Sequence, residues 1–201
     1  MNRPHSARHR LRRLLPALAL LLAFQAQATE TLVFLRHGEK PAAGLGQLNC
    51  RGLQRSLALA KVLPRRFGTP DAIFAPNPGA QKQDGGKPYH YVRPLATIEP
   101  TAIALGLPVD TRFGFDDTAG LIAALEQPEL ASATVFIAWE HRVAQDVARA
   151  LLARHGGDPA TVPRWESPDF DSLYVVTLDA QGRASFHREA QGLDRLGNDC
   201  P

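Results

Sequence analysis

The segment TLVFLRHGE, residues 31–39, is the stretch that decides the fold of this chain. Its first five residues are apolar or β-branched and predict a short buried strand. Arg36, His37 and Gly38 follow that strand with no spacer. In open α/β sheets ligands bind at the carboxyl ends of the strands, and a glycine there lets the backbone turn sharply and approach an anion. The segment therefore predicts a strand-end site for an anionic ligand.

The rest of the chain alternates short apolar runs with helical periodicity, which is typical of a sheet covered by helices on both faces. The predicted strands are 71–75, 107–111, 134–138, 173–178 and 184–188, and the predicted helices are 52–67, 94–105, 118–126 and 142–155. We expect Pro100 to kink or split the second of these helices. Residues 76–91 are polar and rich in Pro and Gly, and they predict a long loop.

Two more residues have the setting that an anion site requires. His141 lies just after the 134–138 strand and just before a helix, so its setting repeats that of His37. Since neighbouring strand ends meet at one edge of a sheet, both imidazoles can face one pocket. Arg93 opens a helix, where a guanidinium beside free helix-start N–H groups suits an oxyanion. A solvated surface arginine is the alternative interpretation of Arg93.

With these residues in place, the chain resembles the histidine phosphatase superfamily, which has the phosphoglycerate-mutase-like fold. The resemblance rests on the Arg36–Glu39 tetrapeptide after the first strand, the segment LNCRGL at 48–53, Arg93 and His141. It implies one domain over residues 29–201. Its fold would be a doubly wound three-layer α/β/α sandwich with a mostly parallel central sheet.

The resemblance also implies a phosphatase in which His37 is phosphorylated during turnover, with Arg36, Arg93 and His141 holding the phosphoryl group. Elementary physical chemistry supports these roles. A nucleophilic imidazole must be neutral, and neighbouring guanidiniums lower its pKa. The same cations neutralise a phosphomonoester dianion and stabilise the transferring phosphoryl group without a metal ion. We therefore expect no metal and no cofactor.

The group that protonates the leaving alkoxide stays open. In the acid-phosphatase branch of the family an Asp follows the second histidine, where this chain has Arg142; the mutase-like branch uses a Glu after the third strand, where this chain has residues 113–117. Glu140 is the first candidate by proximity, although strand alternation would turn it away from the pocket. Asp116 or Asp117 is the second. A site with no dedicated acid is the third, and would favour good leaving groups.

Residues 1–28 have the three parts of a secretory signal peptide. Five arginines precede an apolar stretch over 14–24, and Ala26-Gln27-Ala28 supplies the small-x-small cleavage pattern. The apolar stretch is too short for a spanning helix. We therefore expect a periplasmic or secreted protein that is free of the membrane after cleavage, with an uncleaved anchor as the alternative.

Charge and cysteine content restrict the partners. The first 28 residues carry five of the 23 Lys and Arg and none of the 20 Asp and Glu, so residues 29–201 have 18 basic and 20 acidic side chains. This balance disfavours nucleic acid as a partner. The resemblance implies a small-molecule phosphomonoester as the partner instead. Cys50 and Cys200 lie outside any metal-binding cluster. In an oxidising compartment we expect them to pair, with two free or intermolecular thiols as the alternative.

The leading hypothesis is a metal-independent phosphatase that hydrolyses phosphomonoesters through His37. The missing proton donor motivates an alternative, a catalytically silent module that binds phosphate or phosphoproteins. A phosphotransferase or mutase is a third hypothesis, which the signal peptide disfavours. Lys82, Lys87 and His90 in the polar loop would form a rim that selects anionic substrates, or simply a solvated loop.

Overall fold

The computed structural model describes residues 29–201; the predicted signal peptide, residues 1–28, lies outside the described residues. The strands are β1 (Glu30–Arg36), β2 (Ala72–Phe74), β3 (Gln81–Asp84), β4 (Lys87–His90), β5 (Thr134–Trp139), β6 (Ser172–Leu178) and β7 (Ala184–Ala190). The helices are α1 (Cys50–Phe67), α2 (Arg93–Leu105), α3 (Thr118–Leu125) and α4 (His141–Arg154). Within the described part of the chain, no helix is long and apolar enough to cross a membrane.

The central sheet has five strands in the order β2-β5-β1-β6-β7. β1 and β2 each pair with β5 in parallel, whereas β6 runs antiparallel to its neighbours β1 and β7. All strands of this sheet except β6 therefore point the same way, which confirms the predicted mostly parallel sheet.

The side chains of β1 show why the sheet needs helices on both faces. Successive strand residues point to opposite faces. Leu32 and Phe34 belong to one buried cluster, together with α3 and α4 side chains, and Val33 and Leu35 belong to a second, together with α1 and α2 side chains. The three-layer α/β/α architecture is therefore confirmed.

Two predictions about local structure are wrong. Residues 107–111 are not a strand, because only Asp110 forms an isolated bridge, to Phe74, and Pro108 cannot donate to a ladder. Residues 76–91 are not a plain loop, because β3 and β4 pair within them as an antiparallel hairpin. Gly85 and Gly86 form its turn with φ of 60° and 82°. A Gly-Gly pair between two extended runs is a hairpin signal, and the polar composition concealed it.

Of the two effects expected of Pro100, a kink or a split, the split is wrong, since α2 runs through this residue. Proline has no N–H for the carbonyl four residues earlier, which here is that of Ala96. The Ser56 hydroxyl on α1 donates to this carbonyl at 2.6 Å. A side chain from the neighbouring helix thus supplies the missing hydrogen bond.

The expected disulfide is present. Cys50, at the start of α1, is bonded to Cys200, and 150 positions separate the two residues in the sequence. The bond fixes the C-terminal segment beside the loop that follows β1.

Replacing both Cys50 and Cys200 by Ser should lower the free energy of unfolding by roughly 2–5 kcal/mol, because the unfolded chain loses a long-range crosslink. Urea denaturation followed by circular dichroism measures the change. Wild-type protein unfolded in the presence of a reductant is the control and should reach the same lowered midpoint. An unchanged midpoint would contradict a structural role for the bond.

Candidate active site

The pairing of β1 with β5 brings two of the predicted site residues together. Arg36 lies opposite Trp139 in the parallel register, and the His37 N–H donates to the Trp139 carbonyl at 3.0 Å. His37 leaves one strand where His141 begins α4 after the other. The carboxyl ends of adjacent parallel strands therefore place both imidazoles at the same edge of the sheet.

Arg93 reaches this edge through α2. The Gly38 N–H donates to the Thr97 hydroxyl at 2.8 Å, and that hydroxyl donates to the Arg93 carbonyl at 2.8 Å. Gly38 also lies so close to α1 that an added Cβ would be 3.0 Å from the backbone of Gly52. The turn after β1 is thus packed between α1 and the first turn of α2.

The Arg93 guanidinium is oriented by a carboxylate that sequence analysis did not identify. It pairs with Asp84 at the end of β3, and Asp84 also accepts from Lys40 Nζ at 2.6 Å. Burial alone would raise the pKa of Asp84, but the contacts with Lys40 and Arg93 lower it below its ordinary value. Asp84 therefore stays ionised and holds Arg93 in place.

Arg36 is held by the segment before β6. Its Nη1 donates to the carbonyls of Ser167 and Asp169, and its guanidinium lies 3.8 Å from the centroid of the Phe170 ring. Burial is the main reason why the pKa of Arg36 falls to about 10. The group is still a cation at neutral pH.

His37 is buried in the centre of the site. Its ring lies edge-on to Tyr91, with centroids 6.0 Å apart, and 6.2 Å from Phe170. Burial lowers the pKa of His37 well below its ordinary value, and the charge of Arg93 lowers it further. Its Nδ1 lies 2.8 Å from the Gly38 carbonyl, which only accepts, so we assign the ring proton to Nδ1. Nε2 then carries the lone pair of a neutral imidazole.

Several buried polar atoms around His37 have no hydrogen-bond partner in the structure. They are Arg36 Nε, Arg93 Nε, the Tyr91 hydroxyl and the two His141 ring nitrogens, of which Nδ1 lies 2.8 Å from a carboxylate oxygen without hydrogen-bond alignment. Burial raises the pKa of Tyr91, so its hydroxyl keeps its proton and can donate. Buried polar groups are nearly always hydrogen-bonded. The unpartnered arginine and tyrosine groups are the donors that an oxyanion site requires, and His141 Nε2 joins them when it carries a proton.

Glu140 lies beside His141, as predicted. Helix capping, and not strand alternation, sets the direction of its side chain, because Glu140 is the N-cap of α4. Its Oε2 accepts from the N–H groups of Arg142 and Val143 at 2.9 and 3.1 Å. Its Oε1 lies 2.8 Å from His141 Nδ1. Burial would raise the pKa of Glu140, but the contact with His141 and neighbouring charges lower it to about 2. The free protein therefore holds this carboxyl ionised, and its role as a proton donor stays a prediction.

The second pair of candidate donors lies on the loop before α3. Asp116 and Asp117 are both exposed, and Asp117 caps α3 by accepting from the Gly120 N–H at 2.9 Å. The same loop does reach the site through Phe115. The Phe115 carbonyl accepts from Trp139 Nε1 at 2.8 Å, and its ring lies 5.5 Å from that of Tyr91.

Lys82 lies beside the site, although sequence composition favoured a solvated loop. Its Nζ lies 5.0 Å from the Tyr91 ring centroid and 4.7 Å from that of Phe115. Only the alternation of side chains along β3 could have indicated that Lys82 and Asp84 point the same way. Among residues 29–201, no group of three or more His, Cys, Asp or Glu side chains has an arrangement that could hold a metal ion.

Comparison with known proteins gives matches in structure only. No family model and no curated protein sequence matches the chain. The protein histidine phosphatase SixA, solved with tungstate, superposes with a TM-score of 0.58 at 18% identity, over 80% of this chain and 97% of that one.

Two other solved structures extend the likeness. A mycobacterial glucosyl-3-phosphoglycerate phosphatase, solved with inorganic phosphate, gives a TM-score of 0.56 at 16% identity, over 85% of this chain and 98% of that one. A phosphoglycerate mutase from Plasmodium falciparum gives 0.52 at 13% identity, over 87% and 98%. The chain therefore has the phosphoglycerate-mutase-like fold that the histidine phosphatase superfamily shares.

Proposed function

We propose that this protein is a phosphatase that hydrolyses phosphomonoesters through a phosphohistidine on His37. The observation that carries the proposal is a neutral, buried imidazole surrounded by unpartnered cationic and neutral donors. A protein that only bound phosphate would need these donors, but it would not need a nucleophile at their centre. The predicted signal peptide makes the proposed location periplasmic or secreted.

The proposed reaction has two steps. In the first, the Nε2 lone pair of His37 attacks phosphorus while the bond from phosphorus to the leaving oxygen breaks. In the second, water attacks the phosphohistidine, the N–P bond breaks and neutral His37 is restored. Arg36, Arg93 and His141 stabilise the charge on the phosphoryl oxygens in both transition states. The resemblance to the phosphatases named above supports this sequence of steps.

Glu140 is proposed as the residue that positions His141. Both of its oxygens are engaged, one by the helix start and one by the His141 ring. A carboxylate on Nδ1 keeps a proton on that nitrogen and fixes the orientation of the imidazole. This role supports a site without a dedicated acid in the free protein, which would favour substrates with good leaving groups.

Purified wild-type protein should release phosphate from p-nitrophenyl phosphate after treatment with a metal chelator, and His37→Ala should reduce the rate by at least about 1,000-fold. A rapid acid-free quench followed by mass spectrometry should detect phosphorylated His37 in the wild type. His187→Ala, a histidine on the exposed strand β7, is the matched control and should keep full activity. Tight phosphate binding without turnover would favour the silent binding module instead.

His37 should stay neutral well below pH 6.5, because burial and Arg93 disfavour its protonated form. NMR of ring-labelled histidine measures this, and His37→Ala identifies the signal. The lowered pKa also means that the unfolded chain binds this proton first, so His37 lowers the stability of the fold as the pH falls below about 6.5. A His37 titration midpoint at or above 6.5 would contradict the assigned nucleophile.

Glu140→Gln should lower kcat/KM by roughly 10- to 100-fold on aryl and alkyl phosphates alike, because His141 loses its orienting carboxylate. A proton donor would instead lose far more activity on alkyl phosphates, whose leaving groups need the proton. Glu129→Gln, at an exposed position before β5, is the control and should change neither rate. Steady-state kinetics on p-nitrophenyl phosphate and glycerol phosphate distinguishes the two roles.

A further inference from the structure

Lys82 is a half-buried cation for which the proposed chemistry has no use. Its Nζ lies against two aromatic rings, those of Tyr91 and Phe115. The ion pairs formed by residues 29–201 do not include it, whereas Lys40 is paired with Asp84 at 2.6 Å. The rings hold the ammonium in place and offset part of the cost of burying it.

A second cation lies near Lys82. Burial is the main reason why the pKa of Lys82 is lowered, and the charges of Arg93 and Arg142 add to that effect while Glu140 opposes it. Arg142 is exposed at the start of α4, directly after His141. Lys82, on β3, and Arg142, at the start of α4, therefore add positive charge to that of Arg36 and Arg93.

The position of Lys82 assigns it to one part of a bound substrate. The phosphorus must come within about 3–3.5 Å of His37 Nε2 to react. The Tyr91 ring contacts both groups, with its centroid 6.0 Å from that of His37 and 5.0 Å from Lys82 Nζ. Lys82 and Tyr91 also contact the Phe115 ring, whereas the ring contacts of His37 within residues 29–201 are with Tyr91 and Phe170. Lys82 thus lies on the Phe115 side of Tyr91, and we assign a group that contacts it to the remainder of the substrate, which is the leaving group.

We propose that Lys82, assisted by the charge of Arg142, binds a second anionic group, a carboxylate or a phosphate, on the leaving group of the substrate. The proposal rests on the phosphoryl site of the function proposed above. An anion on the leaving group would supply the counter-charge that Lys82 lacks among the ion pairs of residues 29–201.

The test compares phenyl phosphate with its 4-carboxy and 4-phosphono derivatives. Wild-type protein should prefer the two charged substrates by about tenfold in kcat/KM. Lys82→Met keeps an apolar chain against both rings and should remove most of that preference while changing the phenyl phosphate rate less than about twofold. The carboxy and phosphono arms show which anion the pair prefers.

Lys87→Met is the matched control, since Lys87 lies exposed on the same hairpin, and it should leave the preference intact. Arg142→Met should reduce the preference, and the double variant should remove it. An equal loss on all three substrates would place Lys82 in the phosphoryl site and overturn the inference. The absence of any preference in the wild type would overturn it as well.

Failure of the proposed function has a different signature. Wild-type protein would then release no phosphate from phenyl phosphate. In that case the inference is tested by measuring, with calorimetry, the affinities of the protein for phenylphosphonate and 4-carboxyphenylphosphonate, which are not hydrolysed. Tighter binding of the carboxylated compound by wild type than by Lys82→Met supports the second anion site, and equal binding overturns it.

Discussion

The parallel register between β1 and β5 is the constraint on which the site depends. A slip of one residue would turn every side chain of β1 to the other face of the sheet. Both faces are buried, with Leu32 and Phe34 on one side and Val33 and Leu35 on the other, so the close packing of differently shaped side chains, and not a polar–apolar alternation, fixes the register. The site thus receives its geometry from the core. His37 and His141 need no mutual contact to be placed at the same edge of the sheet, because the hydrophobic packing behind them sets the positions of the two strand ends.

A buried network of ion pairs connects the turn after β1 to α1 and to the segment before β6. Arg55 on α1 is fully buried and donates to both Glu39 oxygens, at 3.0 and 2.8 Å, and to Asp171 at 3.1 Å. Burial alone would raise the pKa of Glu39, but the contacts with Arg55 lower it. Buried charges are tolerated only when they are paired, and removal of one partner is strongly destabilising. Glu39 therefore fixes the turn after His37, and Asp171 fixes the segment whose Phe170 ring packs on Arg36.

The sequence predicts those site residues whose reactive side chain and structural position can both be read from the same short segment. Arg36, His37 and His141 each sit at a strand end, and a strand end is visible in a run of a few residues. Asp84 and Lys82 could not be found in this way, because their positions depend on a hairpin turn and on packing against Phe115 from a distant segment. The error at Pro100 has the same origin. The propensity of proline is local, whereas the Ser56 hydroxyl that compensates for it comes from another helix.

Burial explains how one site can hold a neutral imidazole among guanidiniums that stay charged. Desolvation disfavours the charged form of every basic group, and it is the largest cause of the lowered pKa of both His37 and Arg36. The consequences differ because the ordinary values differ. A guanidinium that falls to about 10 remains charged at neutral pH, whereas an imidazole that starts near 6.5 becomes neutral throughout the physiological range. Each retained guanidinium then further disfavours protonation of His37. The charge that would bind a phosphoryl group and the lone pair that would attack it therefore arise from the same desolvation, with no general base to remove a proton.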